Sequence, residues 1–427
     1  PDGHAIVAYT ENTMTLPEQE AVGNDLPANL MRQEIFAAYW DGTTWTITQL
    51  TNDVLADGRA ALAGDAAGAT LAWTRDNGDG DITTRDDLRI AVRNYDYSTS
   101  SWDPMEILNA LQSDSQVSVA RSGGTAVLAW SAEGDSDLNT NADRFIAVAE
   151  HLTGGWVVNI PSALPAGAEL PSVAINPLDT TVELAMTVRG KDGDGISDTG
   201  ALTDQAALHF ASRDGGGVWS SSPLLEDGLP IRAERPRLVI GDDGESLLLF
   251  RRFGEAGTNA ALGQQALMQK APGGTAFSDP LYVTNESRQH WQQALAVNSL
   301  GQAAVCNVSR APIDVGGTAA PAPVAVSKVF DTVELAGGND PVEAFVIDPG
   351  SDPALVPQLT ASEQHAAPGS TVQVTATLRN LGRTPVSDPT VSFYAGTPET
   401  GTLLASITVP GPLGFKEWIL VELDVTR

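Results

Sequence analysis

Short apolar runs separated by tight polar turns dominate the chain, and they come in pairs. The first runs read Ala60-Ala61-Leu62-Ala63, Val117-Ser118-Val119-Ala120, Ser172-Val173-Ala174-Ile175, Arg237-Leu238-Val239-Ile240 and Ala294-Leu295-Ala296-Val297. A turn follows each, and then a second run: Thr70-Leu71-Ala72-Trp73, Val127-Leu128-Ala129-Trp130, Glu183-Leu184-Ala185-Met186, Leu247-Leu248-Leu249-Phe250 and Ala304-Val305-Cys306-Asn307. Runs of this length, bounded by turn residues and rich in β-branched and aromatic side chains, predict strands. Helical periodicity is nearly absent; only residues 104–112 leave room for a turn or two of helix.

Each pair continues in one way. A polar loop leads to a third strand, such as Leu88 to Val92, Phe145 to Val148 or Leu208 to Ala211. A Gly-rich turn then leads to a fourth, opening at Trp45, Trp102, Trp156, Trp219 or Phe277. Four short antiparallel strands, repeated every roughly 55–65 residues, predict the blades of a β-propeller. The chain opens inside the motif, at Ile6-Val7-Ala8-Tyr9, without its own first strand. A sixth first strand, Val342 to Ile347, is expected to supply it by pairing beside Ile6. The expectation is an all-β chain with a six-bladed propeller over residues 1–350, its ring closed so that no sheet edge stays exposed.

From Pro353 the pattern changes to regular alternation, as in Val372-Gln373-Val374-Thr375-Ala376-Thr377-Leu378 and Leu403-Leu404-Ala405-Ser406-Ile407-Thr408-Val409. This predicts a small Ig-like β-sandwich over residues 357–427, joined by a linker at 351–356.

Two stretches carry family resemblances. Ser212-Arg213-Asp214-Gly215-Gly216-Gly217-Val218-Trp219 resembles the Asp-box of sialidase-like propellers, with Val218 where Thr is usual. Trp40-Asp41-Gly42-Thr43-Thr44-Trp45 and Thr153-Gly154-Gly155-Trp156 look like degenerate copies. In that family the box is structural, so the resemblance implies a fold and no activity. Pro368-Gly369-Ser370 through Asn380-Leu381-Gly382, then Val391-Ser392-Phe393-Tyr394 to Leu404, resembles the CARDB module of bacterial surface and secreted proteins. That resemblance implies spacing or adhesion outside the cell. The strand after Trp418 looks short for such a module, which suggests truncation.

Composition narrows the functions. Asp and Glu total 54 against 24 Lys and Arg, a formal net charge of −30. Nucleic-acid and anionic-membrane partners need clustered basic residues, so both are excluded. A single cysteine, Cys306, excludes an internal disulfide framework and Cys-based zinc sites. Cys306 is expected to be buried and inert on a second strand. No run of ~18 apolar residues suits a membrane-spanning helix. The start at Pro1 reads as a processed or excised chain, and the whole as secreted or cell-surface.

Three loops between second and third strands are acidic. Asp192-Gly193-Asp194-Gly195-Ile196-Ser197-Asp198 has the D-x-D-G-x-x-D spacing of calcium loops, with Gly190 where such a loop would begin with Asp. Alternating carboxylates about a glycine bend let one loop supply several of the hard oxygen ligands calcium takes. The first loop holds Asp76, Asp79 and Asp81, the second Glu133, Asp135 and Asp137. The expected metal ligands are Asp192, Asp194, Asp198, Asp76, Asp79 and Asp81, with Ca2+ as the ion. No catalytic residue is assigned. The expected function is a non-catalytic extracellular module that recognises protein, glycan or copies of itself. Its candidate partner contact is the long loop from Glu11 to Arg32. The alternative is a glycan-cleaving enzyme of the sialidase-like class, drawing on Arg75, Arg189, Arg251 and Arg252 near the ends of second strands. A cluster of arginines and carboxylates converging on one pocket at the ring centre would favour the enzyme, and scattered charge on a loop face without such a pocket the scaffold.

Overall fold

The computed structural model describes residues 4–15, 17–18, 21, 31–76, 88–111, 113–134, 144–152, 154–189, 206–253, 263–283, 289–298, 301–310, 342–347, 353–355, 360–361, 371–380, 385–395, 402–413 and 418–426. The chain divides into two compact units, residues 1–293 and 294–427.

The first unit is all-β, and its antiparallel sheets are the blades of a β-propeller. Blade 1 has three strands, Ala5–Asn12, Gln33–Trp40 and Trp45–Gln49. Blade 2 begins with Asp57–Gly64, Gly68–Asp76 and Leu88–Asp96, and its outer edge is made by Ser101–Trp102 and Glu106–Leu108. The helical turn expected at residues 104–112 is therefore replaced by a short strand pairing with Ile90 to Val92. Blade 3 comprises Ser113–Ser122, Thr125–Glu133, Arg144–Leu152 and Gly155–Asn159. Blade 4 comprises Ala168–Ile175, Val182–Arg189, Ala206–Arg213 and Trp219–Pro223. Blade 5 comprises Ala233–Ile240, Ser246–Phe253, Gly263–Lys270 and Leu281–Tyr282.

The second strands of blades 2 to 4 are buried almost throughout. All nine residues of Gly68–Asp76 are buried, and all but one of Thr125–Glu133. Both faces of such a strand meet a neighbouring blade, which explains why these runs read as continuous apolar stretches rather than alternating ones. The apolar cores accordingly lie between successive blades. Val127, Ile146, Leu184 and Met186 share one core across blades 3 and 4, and Leu208, Leu248, Phe250 and Met268 another across blades 4 and 5.

Hairpin turns behave as their residues dictate. Asp214 Oδ1 accepts the N–H groups of Gly216 and Val218, both at 2.9 Å, and Gly217 takes φ +83°. Asp41 caps its hairpin in the same way, accepting from Thr43 and Thr44 at 2.8 and 2.7 Å.

A sixth sheet is formed by Gln289–Val297, Ala303–Arg310 and Val342–Ile347. Val342–Ile347, expected to close the ring beside Ile6, pairs here with Ala303–Val308 as the third strand of this sheet.

The rest of the second unit is a β-sandwich. Thr371–Asn380 pairs along nine residues with Trp418–Thr426. Pro353–Leu355, expected in a linker, forms an edge strand against Leu378 to Asn380. Ala376, Leu378, Phe393, Val409 and Val421 form its core. Cys306 lies on a strand as expected but is only half-buried. Among the described residues no helix is long and apolar enough to cross a membrane.

Candidate functional site

Four inner strands share one irregularity near their starts. Register slips between Gly58 and Ala61, Ser115 and Ser118, Glu169 and Ser172, and Glu234 and Arg237. At each bulge one non-glycine residue takes a left-handed conformation: Arg59 (φ 54°), Gln116 (60°), Leu170 (53°) and Arg235 (55°). Non-glycine residues rarely adopt this conformation, so its recurrence marks an architectural device. The preceding blade satisfies the bulge amides. Leu170 N–H donates to Ser131 Oγ and Gln116 Oε1, each at 3.1 Å, and Arg235 N–H donates to Thr187 Oγ1 at 3.2 Å.

The bulges collect charge at one end of the blades, where inner strands begin and second strands end. Arg144 bonds Glu169 at 3.1 Å and lies 3.6 Å from Glu133. Arg189 bridges Glu169 and Glu234, with 3.0 Å to the latter. Arg251 donates to Glu234 at 2.8 Å, and Arg235 lies 3.6 Å from the same carboxylate. The side chains of Glu133, Glu169, Glu234, Arg144, Arg189 and Arg251 are 7–13% exposed, while Arg235 is 38% exposed. Burial alone would lower the Arg189 pKa, but the carboxylates of Glu169 and Glu234 outweigh it and raise it. Among the described residues, three carboxylates face four guanidiniums in this array. Gly167 holds two of these arginines by their backbones, donating to Arg144 O at 2.9 Å and accepting from Arg189 N at 2.8 Å.

A second cluster occupies the same end between blades 1 and 2. Arg75 donates to both oxygens of Asp57, at 2.7 and 3.0 Å, and also bonds Asp53. Trp73 Nε1 donates to Asp57 at 2.6 Å. Glu34 is 1% exposed; its Oε1 accepts the Asp53 amide at 3.1 Å, and its Oε2 has no hydrogen-bond partner among the described residues. Burial pushes the Asp57 carboxyl up to about 6 despite the opposing pull of Arg75 and Trp73.

The opposite, hairpin end carries two clefts, of about 560 and 470 Å³, which share Ile6 and Tyr39. Their aromatic walls include Tyr97 in the first and Tyr95 and Trp102 in the second.

Of the expected metal ligands, Asp192, Asp194, Asp198, Asp79 and Asp81 lie outside the described residues. Asp76 is 1% exposed at the end of its strand, with its amide donating to Ala56 O at 3.0 Å. Of the four arginines singled out from sequence, Arg189 and Arg251 join the array and Arg75 the second cluster. Arg252 points elsewhere, pairing with Glu226 at 2.6 Å and lying 5.4 Å from the Tyr282 ring centroid. Sequence reasoning missed Glu169, Glu234 and Arg235. Their signal was present as Glu169-Leu170-Pro171 and Glu234-Arg235-Pro236, the same Glu-x-Pro at the same place in two blades.

No protein-family model and no curated protein matches the chain. Solved structures do. The polysaccharide lyase Uly1 is similar at 8% identity and a TM-score of 0.45, over 80% of this chain and 74% of that one. A sialidase from Trypanosoma rangeli is similar at 10% identity and a TM-score of 0.46, over 81% of this chain but only 52% of that one. A GH43_1 enzyme from Xanthomonas citri is similar at 13% identity and a TM-score of 0.35, over 59% of this chain and 81% of that one. Each of these is an enzyme, whereas the expectation here was a non-catalytic module; at these identities the likeness is one of fold. The arginines and carboxylates converge on one another, and the two described clefts lie at the opposite end of the blades.

Proposed function

We propose that the chain is a glycan-cleaving enzyme acting on a saccharide that carries carboxylate groups. The observation that supports this is the array of four guanidiniums and three carboxylates on three adjoining blades. An anionic sugar would otherwise be repelled by a chain of net charge −30. Arg235 is the most exposed guanidinium of the array and is preset by the bulge, so it is assigned the sugar carboxylate. Glu234, 3.6 Å from Arg235, and Glu169, linked to Glu234 through Arg189, are assigned as the carboxylates for proton transfer at the glycosidic oxygen. The capped hairpins at Asp214 and Asp41 fit the Asp-box of sialidase-like propellers, and the sandwich fits a CARDB-type module. The first reading concerns the fold alone, and the second places the chain outside the cell, where it would meet its glycan.

The test is incubation with sialylated and uronate-containing glycans beside neutral ones, reading new reducing ends. Cleavage of a carboxylated glycan is expected, with kcat/KM falling at least about tenfold in Arg235→Ala, the loss of roughly one charge-assisted contact. Cleavage of neutral glycans alone, or of none, would reject the proposal.

A further inference from the structure

We infer that Glu34, Asp53 and Asp57 form a binding site for a hard divalent cation of the calcium class, between blades 1 and 2. One oxygen from each carboxylate lies within 4.8 Å of the others. Calcium–oxygen bonds run about 2.3–2.6 Å, so ligands on opposite sides of one ion stand about that far apart. The second observation is Glu34 itself. It is 1% exposed, it belongs to the triad, and its Oε2 has no hydrogen-bond partner among the described residues. A buried carboxylate oxygen left unpartnered is costly, and a cation is what such an oxygen takes.

Charge decides the ion. Three carboxylates are opposed by one guanidinium, Arg75, which bonds Asp57 and Asp53. Two negative charges remain, and a divalent cation cancels them. Carboxylate oxygens carry enough lone pairs to serve Arg75 and a metal together. The Thr51 hydroxyl, which hydrogen-bonds Asp57, adds a neutral oxygen beside the triad. The Asp53 side chain is 39% exposed, which leaves an entry path and room for water ligands. The site shares no residue with the arginine array, so it stands whether or not the proposed glycan cleavage does. It is also distinct from the acidic loop at Asp192.

The experiment strips the whole chain with EDTA and compares thermal melts with and without millimolar Ca2+, for wild type, Glu34→Gln and Asp192→Asn. Binding to the folded state alone raises the melting temperature. A rise of several degrees is expected in wild type and Asp192→Asn and is expected to vanish in Glu34→Gln. An equal rise in Glu34→Gln, or no rise in wild type, overturns the site. Should Glu34→Gln fail to fold, Asp53→Asn replaces it, because its half-exposed side chain tolerates the change. Terbium luminescence sensitised by Trp73, whose indole bonds Asp57, gives a second readout. Its emission is expected to fall at least about tenfold in the variants that lose the melt shift; undiminished emission counts against the site.

Discussion

Two tryptophans show how a single hydrogen bond shapes this chain. Trp73 and Trp130 are both 0% exposed, and each donates its indole N–H to an aspartate 16 residues earlier, Asp57 or Asp114. Blades 4 and 5 place Met186 and Phe250 at the tryptophan position, and the aspartate position becomes Ala168 or Ala233. The carboxylate is present where the ring has a proton to give and absent where it has none, as a buried donor requires. Asp114→Ala should therefore cost about 1–3 kcal/mol by orphaning Trp130. Adding Trp130→Phe should recover part of that loss, and urea titration of the two singles and the double measures the coupling. Burial raises the Asp114 pKa. Its contribution is then fully present below the ordinary aspartate range and is lost as pH rises through the elevated folded value. Wild type should lose stability relative to the double variant over that window, and a flat difference from pH 4 to 7 would rule this out.

At the scale of the element, the inner-strand bulge links fold to site. A regular strand would send alternate side chains to opposite faces, but the extra residue re-aims Glu169 and Glu234 towards Arg189. Gly167, just before the inner strand of blade 4, sets this geometry with φ +76°. A Cβ there would stand 2.0 Å from Arg189 O, a backbone atom that cannot swing aside. Gly167→Ala should cost about 3 kcal/mol or more in urea unfolding and abolish any glycan cleavage with it. Gly154→Ala, where a Cβ meets nothing within 4 Å, is the control and should stay near neutral. The bulges themselves were not legible. Their backbone is dictated by the neighbouring blade's Ser131 and Thr187, not by the local residues Leu170 and Arg235.

Over the whole molecule the net charge of −30 is a standing self-repulsion. Raising salt shrinks the screening length from ~30 Å at roughly 0.01 M to ~3 Å at about 1 M. The melting temperature should therefore rise with sodium chloride, and a fall would show that ion pairs outweigh repulsion. The buried pairs take little part in that shift. Lys270 and Glu183, 2.8 Å apart and 7% and 3% exposed, join blades 4 and 5 beyond the reach of solvent ions.

The sequence by itself determined the strands, their turns and their grouping into blades, because side-chain periodicity and hairpin caps such as Asp214 act within a few residues. It also set the chain's charge and the tryptophan–aspartate pairing, a repeat at constant spacing. Tertiary structure decided the rest. Val342–Ile347 is an apolar strand that any open edge could accept, and only pairing with Ala303–Val308 settles its place. Arg144, Arg189 and Arg251 are ordinary surface residues in isolation; stacking of blades buries them against Glu169 and Glu234. Glu34, Asp53 and Asp57 come from a third strand, a connection and the next inner strand, and their proximity exists only once blade 2 has packed on blade 1. Charge clusters between blades are long-range products of packing; the repeated Glu-x-Pro marks two of the carboxylates, and only stacking brings the arginines to them.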